Sequence, residues 1–106
     1  MSAQAKDTAQ KLIEEHDFAL FSKTWCPYCK KVKAVIDGLD LDPSAVGILE
    51  LDEMGQEGKE IQSYLEGETG QSTVPSVWIK KEFIGGSSDL NKIPTAELQK
   101  RVKSAV

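Results

Sequence analysis

Cysteine and histidine are scarce in this chain of 106 residues, which has two of the first and one of the second. That shortage excludes a closed zinc site, which needs four such ligands, and a fold held by a disulfide framework. No apolar run is long enough to span a bilayer. A formal charge of −4 argues against general affinity for nucleic acid. The first fifteen residues have no apolar core of signal-peptide type, and Asp7, Glu14 and Glu15 do not suit a transit peptide. Repeats, linkers and low-complexity stretches are absent as well. The expectation is one domain over residues 1–106, with 1–5 frayed, working in a reducing compartment, the cytoplasm.

What is present is concentrated. Both cysteines fall in Thr24-Trp25-Cys26-Pro27-Tyr28-Cys29. The run Phe18–Phe21 before them is short, apolar and aromatic-rich, which predicts a buried strand. After them, Cys29, Val32, Val35, Ile36 and Leu39 recur at helical spacing. Cys26 therefore stands just before a helix, with Pro27 at its first position. The free N–H groups and dipole of that helix, with Lys23, Lys30, Lys31 and Lys33 nearby, favour a thiolate at Cys26. Cys29, inside the first turn, is the less exposed thiol, suited to attack a mixed disulfide on Cys26. Two other uses of the pair fare worse. A metal site lacks ligands, and a staple closing so small a loop constrains the unfolded chain little.

The rest of the chain reads as alternating elements. A first helix capped by Asp7 or Thr8 carries Leu12 and Ile13 and ends near His16. The redox helix covers 27–36, with Gly38 as its stop. A second strand covers 46–51. A third helix spans about 56–65 with Ile61, Tyr64 and Leu65 inward, Gly58 weakening its start and Gly67 near its end. Strands at 76–79 and 82–84 flank a Lys80-Lys81 turn, and helices begin near Ser88 and Thr95. Long early crossovers and a late hairpin give an α/β fold, a mixed four-stranded sheet with helices on both faces. His16, Trp78 and the acids at 50–53 read as structural.

The chain resembles the dithiol glutaredoxins of the thioredoxin fold, closest to eukaryotic cytosolic members. The resemblance rests on Ser22-Lys23-Thr24-Trp25-Cys26-Pro27-Tyr28-Cys29, Glu50-Leu51-Asp52, Thr73-Val74-Pro75 and Gly85-Gly86-Ser87-Ser88-Asp89, in this order. It implies a thioredoxin-like three-layer fold and a monomeric glutathione-disulfide oxidoreductase. Such an enzyme reduces protein–glutathione mixed disulfides and protein disulfides, with glutathione as co-substrate and no tightly bound cofactor. It also implies a glutathione site: Lys23 and Gln62 for the glycine carboxylate, Thr73, Val74 and a cis Pro75 for the cysteinyl backbone, Ser88 and Asp89 for the γ-glutamyl end, and Tyr28 along the groove. Each residue has a plainer reading too: Lys23 in a solvated loop, Gln62 on an exposed helix face, Pro75 in trans opening a strand, Ser88 and Asp89 as caps, Tyr28 as a surface aromatic. The alternative function within the resemblance is a carrier that bridges a [2Fe–2S] cluster between two subunits through Cys26 and glutathione. Pro27, which stiffens the loop beside Cys26, weighs against it. Trp25 and Ser87 depart from the family's commonest patterns, and Ser87 leaves no third thiol near the site.

Overall fold

A computed structural model describes residues 3–103. Five helices and four strands alternate: α1 (Ala3–Glu15), β1 (Phe18–Ser22), α2 (Pro27–Asp37), β2 (Val46–Glu50), α3 (Gly55–Thr69), β3 (Ser76–Ile79), β4 (Glu82–Gly85), α4 (Ser87–Asn91) and α5 (Thr95–Lys103). Short 3₁₀ turns at Pro43–Ala45 and Leu51–Glu53 bracket β2. The sheet runs β2-β1-β3-β4, with β1 parallel to β2 and the other pairs antiparallel.

All five residues of the central strand β1 are buried, and their alternation sorts two cores. Phe18 and Leu20 face α2, α4 and α5, packing with Val32, Ile36, Leu90, Leu98 and Val102. Ala19 and Phe21 face α1 and α3, packing with Ala5, Ala9, Leu12, Ile61 and Leu65. Ser22 continues the first set, so β1 ends with a buried hydroxyl on the α2 side of the sheet. Parallel pairing with β2 brings the chain back at the same end, where Glu50 lies opposite Ser22.

Several boundaries differ from the sequence reading. Residues 3–5 are helical and Ala5 is fully buried, so the frayed start is overturned for them, while residues 1 and 2 lie outside the described residues. Asp7 and Thr8 are therefore not caps. Thr8 sits mid-helix and its hydroxyl bonds Gln4 O and Glu57 Oε1, each at 2.9 Å. Helix α3 continues past Gly67 to Thr69 and stops at Gly70, whose φ of +79° is a left-handed cap. Gly58 is needed for packing rather than tolerated: a Cβ there would collide with the Leu51 carbonyl. The Lys80-Lys81 turn is present, with φ of 51° and 71°.

Candidate functional site

The loop from Ser22 to Cys26 delivers the dithiol to the start of α2. Its anchor is Asp52, which accepts from Thr24 N at 3.0 Å and from Thr24 Oγ1 at 2.5 Å. Those two bonds hold the Asp52 carboxyl below its usual range. Cys26 N then donates to Lys23 O at 3.2 Å, closing a turn that places Cys26 as the N-cap of α2, with Pro27 in the first turn. In this role Cys26 Sγ accepts the Cys29 N–H at 3.3 Å. A sulfur carrying negative charge gains there from a real donor and from the helix dipole.

The two sulfurs differ in setting. Cys26 is 6% exposed and Cys29 is fully buried. Both are free thiols. Burial pushes the Cys29 thiol up to about 11. The neighbouring Cys26 adds to that rise, and bonds with the Lys23 backbone and the Ser22 hydroxyl partly oppose it. At neutral pH Cys29 is an S–H group. One lysine near the pair is matched by a carboxylate, and two others lie near aromatic rings and keep their charge. Lys33 is neutralised by Glu50 at 2.6 Å, Lys31 Nζ lies 5.0 Å over the Tyr28 ring, and Lys23 Nζ lies 5.8 Å from the Trp25 ring. Trp25 and Tyr28 are the two most exposed large apolar side chains among the described residues.

Beside the first turn of α2 is an open groove of about 370 Å³, lined by Tyr28, Gln71, Thr73, Val74, Pro75, Gly86, Ser87, Ser88 and Asp89. Its size falls within the range of small-molecule clefts. The Val74–Pro75 peptide is cis. Six of the eight glutathione-site residues expected from the sequence thus meet in one place: Tyr28, Thr73, Val74, Pro75, Ser88 and Asp89. Lys23 and Gln62 do not line it. Gln62 Nε2 donates to Ser72 O at 2.5 Å, in the adjoining depression formed with Lys59, Ser63 and Glu66. Asp89 is committed locally, with Oδ2 accepting Gly86 N at 3.0 Å. Gly85 makes room for it, since at φ of 124° a Cβ would strike that carboxylate.

Sequence reasoning missed two contributors. Gln71 Nε2 donates to Thr73 O at 2.9 Å and Pro75 O at 3.1 Å, bracing the cis-proline loop. Its only signal was a polar residue between a helix-ending glycine and that loop. Asp52, one of the acids at 50–53 that read as structural, shows no local sign of this role because its partner Thr24 is 28 positions away. A larger depression of about 910 Å³, between Ile79, Glu82, Ile84 and α5, holds no cysteine. It lies at the end of β3 opposite the dithiol, where Ile79 pairs with Phe18. Among the described residues no three of His, Cys, Asp and Glu are grouped to hold a metal, and no helix is long and apolar enough to cross a membrane.

Comparison with known proteins agrees with this geometry. A family model described as Glutaredoxin matches residues 18–84. Glutaredoxin-1 of Rhizophagus irregularis is 48% identical over 88 residues, covering 83% of each chain. The holo form of glutaredoxin C1 from Populus tremula x tremuloides superposes with a TM-score of 0.84 at 32% identity, covering 97% of this chain and 99% of that one. A buckwheat glutaredoxin–glutathione complex does so with a TM-score of 0.76 at 37% identity, covering 84% and 77%.

Proposed function

This chain belongs to the glutaredoxin family, and we propose that it acts as a glutathione-dependent thiol–disulfide oxidoreductase with Cys26 as its nucleophile. The observation that carries the reading is the asymmetry of the pair: Cys26 caps a helix and accepts an N–H, while Cys29 is buried as a thiol. Cys26 thiolate attacks a protein–glutathione mixed disulfide. The protein leaves as a thiolate, and glutathione remains bonded to Cys26. A second glutathione then attacks that bond and departs as glutathione disulfide. On protein disulfides, Cys29 resolves the intermediate by closing a Cys26–Cys29 bond, which glutathione later reduces.

The groove suits the glutathionyl group. Val74 offers its backbone beside Pro75 in the manner of a pairing strand. In this reading the backbone at Ser88 takes the γ-glutamyl carboxylate, the Asp89 carboxylate takes its ammonium, and Tyr28 forms one wall of the groove. The buckwheat relative was solved as a glutathione complex, which supports this choice of ligand. Lys23, whose Nζ lies 5.8 Å from the Trp25 ring, is the cation we assign to the glycine carboxylate. Work in the cytoplasm as a monomer is part of the same reading.

The cluster-carrier alternative asks for a Cys26 from each of two subunits. Here Pro27 occupies the first helical turn beside Cys26 and stiffens that loop, which favours exchange chemistry. Turnover of a glutathionylated protein with glutathione, run beside an anaerobic absorption spectrum of the reconstituted protein, tests both. Rapid deglutathionylation by a colourless protein is expected. Slow turnover with a stable cluster would reverse the choice.

A further inference from the structure

The edge strand β2 borders an open depression of about 480 Å³. Ile36, Leu39, Leu41, Val46 and Ile48 give it an apolar floor, and Asp37 is the one charged residue in its lining. Ile48 is 40% exposed. The other exposed large apolar side chains among the described residues, Trp25 and Tyr28, both stand in the dithiol segment. Strand β2 pairs with β1 along one side, and along its other side the backbone has no strand partner among the described residues. Natural edge strands are commonly guarded by a lysine or a proline. Val46-Gly47-Ile48-Leu49-Glu50 carries neither.

The rim decides what can cover this edge. In Leu39-Asp40-Leu41-Asp42 the leucines pack inward and the aspartates stay exposed. Asp40 is matched by Lys103 at 3.1 Å, whereas Asp37 and Asp42 have no ion pair among the described residues. The Ser44 amide and hydroxyl hold the Asp42 carboxyl below its ordinary range, so it is charged at neutral pH. No cation lines the depression, and Lys33, one turn before Asp37 on α2, is taken by Glu50. A second copy of this chain fits poorly: pairing edge to edge would set two acidic rims in one interface, between chains of net charge −4. We propose that the β2 edge is a docking surface for an extended segment of a partner protein, apolar at its centre and flanked by lysines or arginines. The segment adds a strand to β2 through main-chain hydrogen bonds and seats an apolar side chain beside Ile48. Its flanking cations meet Asp37 and Asp42. Cys26 and Asp37 stand at opposite ends of α2, about 16 Å apart along its axis, so a docked partner leaves the glutathione groove open.

The probe is a capped peptide of alternating valine and threonine with lysines at both ends, titrated into the isotope-labelled full-length protein and followed by amide NMR. Shifts should be confined to the last turn of α2, the loop 38–42 and β2. Hydrogen exchange should slow at β2 amides, which marks an added strand. The same peptide flanked by glutamates should bind about tenfold more weakly, and added salt should narrow that difference. Ile48→Asp should weaken the lysine-flanked peptide about tenfold, by removing apolar contact. Asp37→Lys, at an exposed helix end where a cation is tolerated, should weaken it about fivefold. Both sites are far from the dithiol, so each variant should keep deglutathionylation within about twofold of wild type. Absence of binding, equal binding of the two peptides, or shifts centred elsewhere would overturn the proposal. So would β2 shifts that grow with protein concentration in the absence of peptide, since the edge would then be covered by a second copy.

Discussion

The amide of Cys29 donates to the sulfur of Cys26 at 3.3 Å, across the first turn of α2. One cysteine thus supplies the hydrogen bond that favours charge on the other, while its own thiol is sealed from solvent. In the proposed mechanism, attack and resolution are divided between the two by backbone geometry as well as by sequence order.

The sealed thiol has a consequence for stability. Its value is raised from 9.0 to about 11, so the folded, reduced protein disfavours the Cys29 thiolate relative to the unfolded chain. Its contribution is complete below about pH 9 and is lost as the pH rises toward 11, a loss of about 2–3 kcal/mol. Urea denaturation of the reduced protein across this range should show wild type falling more steeply than Cys29→Ser. Parallel curves would mean that Cys29 is not desolvated.

Asp52 behaves with the opposite sign. Its carboxyl is lowered from 3.8 by the Thr24 hydroxyl and amide, so its contribution is present above about pH 4 and lost on acidification through the lowered value. Asp52→Asn should destabilise the protein at neutral pH and slow exchange, because the loop that delivers Cys26 loosens. The stability gap to wild type should narrow between pH 5 and pH 2 when both are denatured in urea. A gap that is constant with pH would mean the pair is not charge-assisted.

Asp89→Ala tests the γ-glutamyl end of the groove. It removes the acceptor for Gly86 N, costing about 0.5–2 kcal/mol as a lost cap, and a partner for an ammonium. The KM for glutathione should rise about tenfold, a larger effect than the loss of stability alone explains. Unchanged steady-state kinetics would place that end of the ligand elsewhere.

Pro27 carries the question of the cluster. Wild type reconstituted with iron, sulfide and glutathione should stay a colourless monomer, and Pro27→Gly should gain visible absorbance and dimerise. Size-exclusion chromatography with absorbance detection reads both. A coloured wild-type dimer would promote the carrier role.

Much of this was legible in the sequence because it is local. Strand, dithiol and helix follow one another from Phe18 to Ile36, and period and capping chemistry mark each of them. The cis-proline loop and the glycine pair were legible through resemblance. What escaped were matters of small residues and long range. Ala5 and Ala9 are core residues of α1, but alanines give a weak apolar signal, so the sequence pattern places the start of the helix later. Gly58 reads as a weak point of α3 by propensity alone, whereas the nearby Leu51 carbonyl leaves no room for a Cβ there. That Glu50 lies opposite Ser22 depends on the register of β1 with β2, which no local pattern in either strand specifies.

The division of labour between the two cysteines is tested most directly by assaying deglutathionylation and protein-disulfide reduction with Cys26→Ser and Cys29→Ser. Cys26→Ser should abolish both, since a hydroxyl does not ionise at neutral pH. Cys29→Ser should keep deglutathionylation at or above the wild-type rate, because a second glutathione resolves the mixed disulfide and the side path to the Cys26–Cys29 bond is closed. It should lose most of its reduction of protein disulfides. Equal loss of deglutathionylation in the two variants would contradict the assignment of Cys26 as nucleophile and Cys29 as resolving thiol.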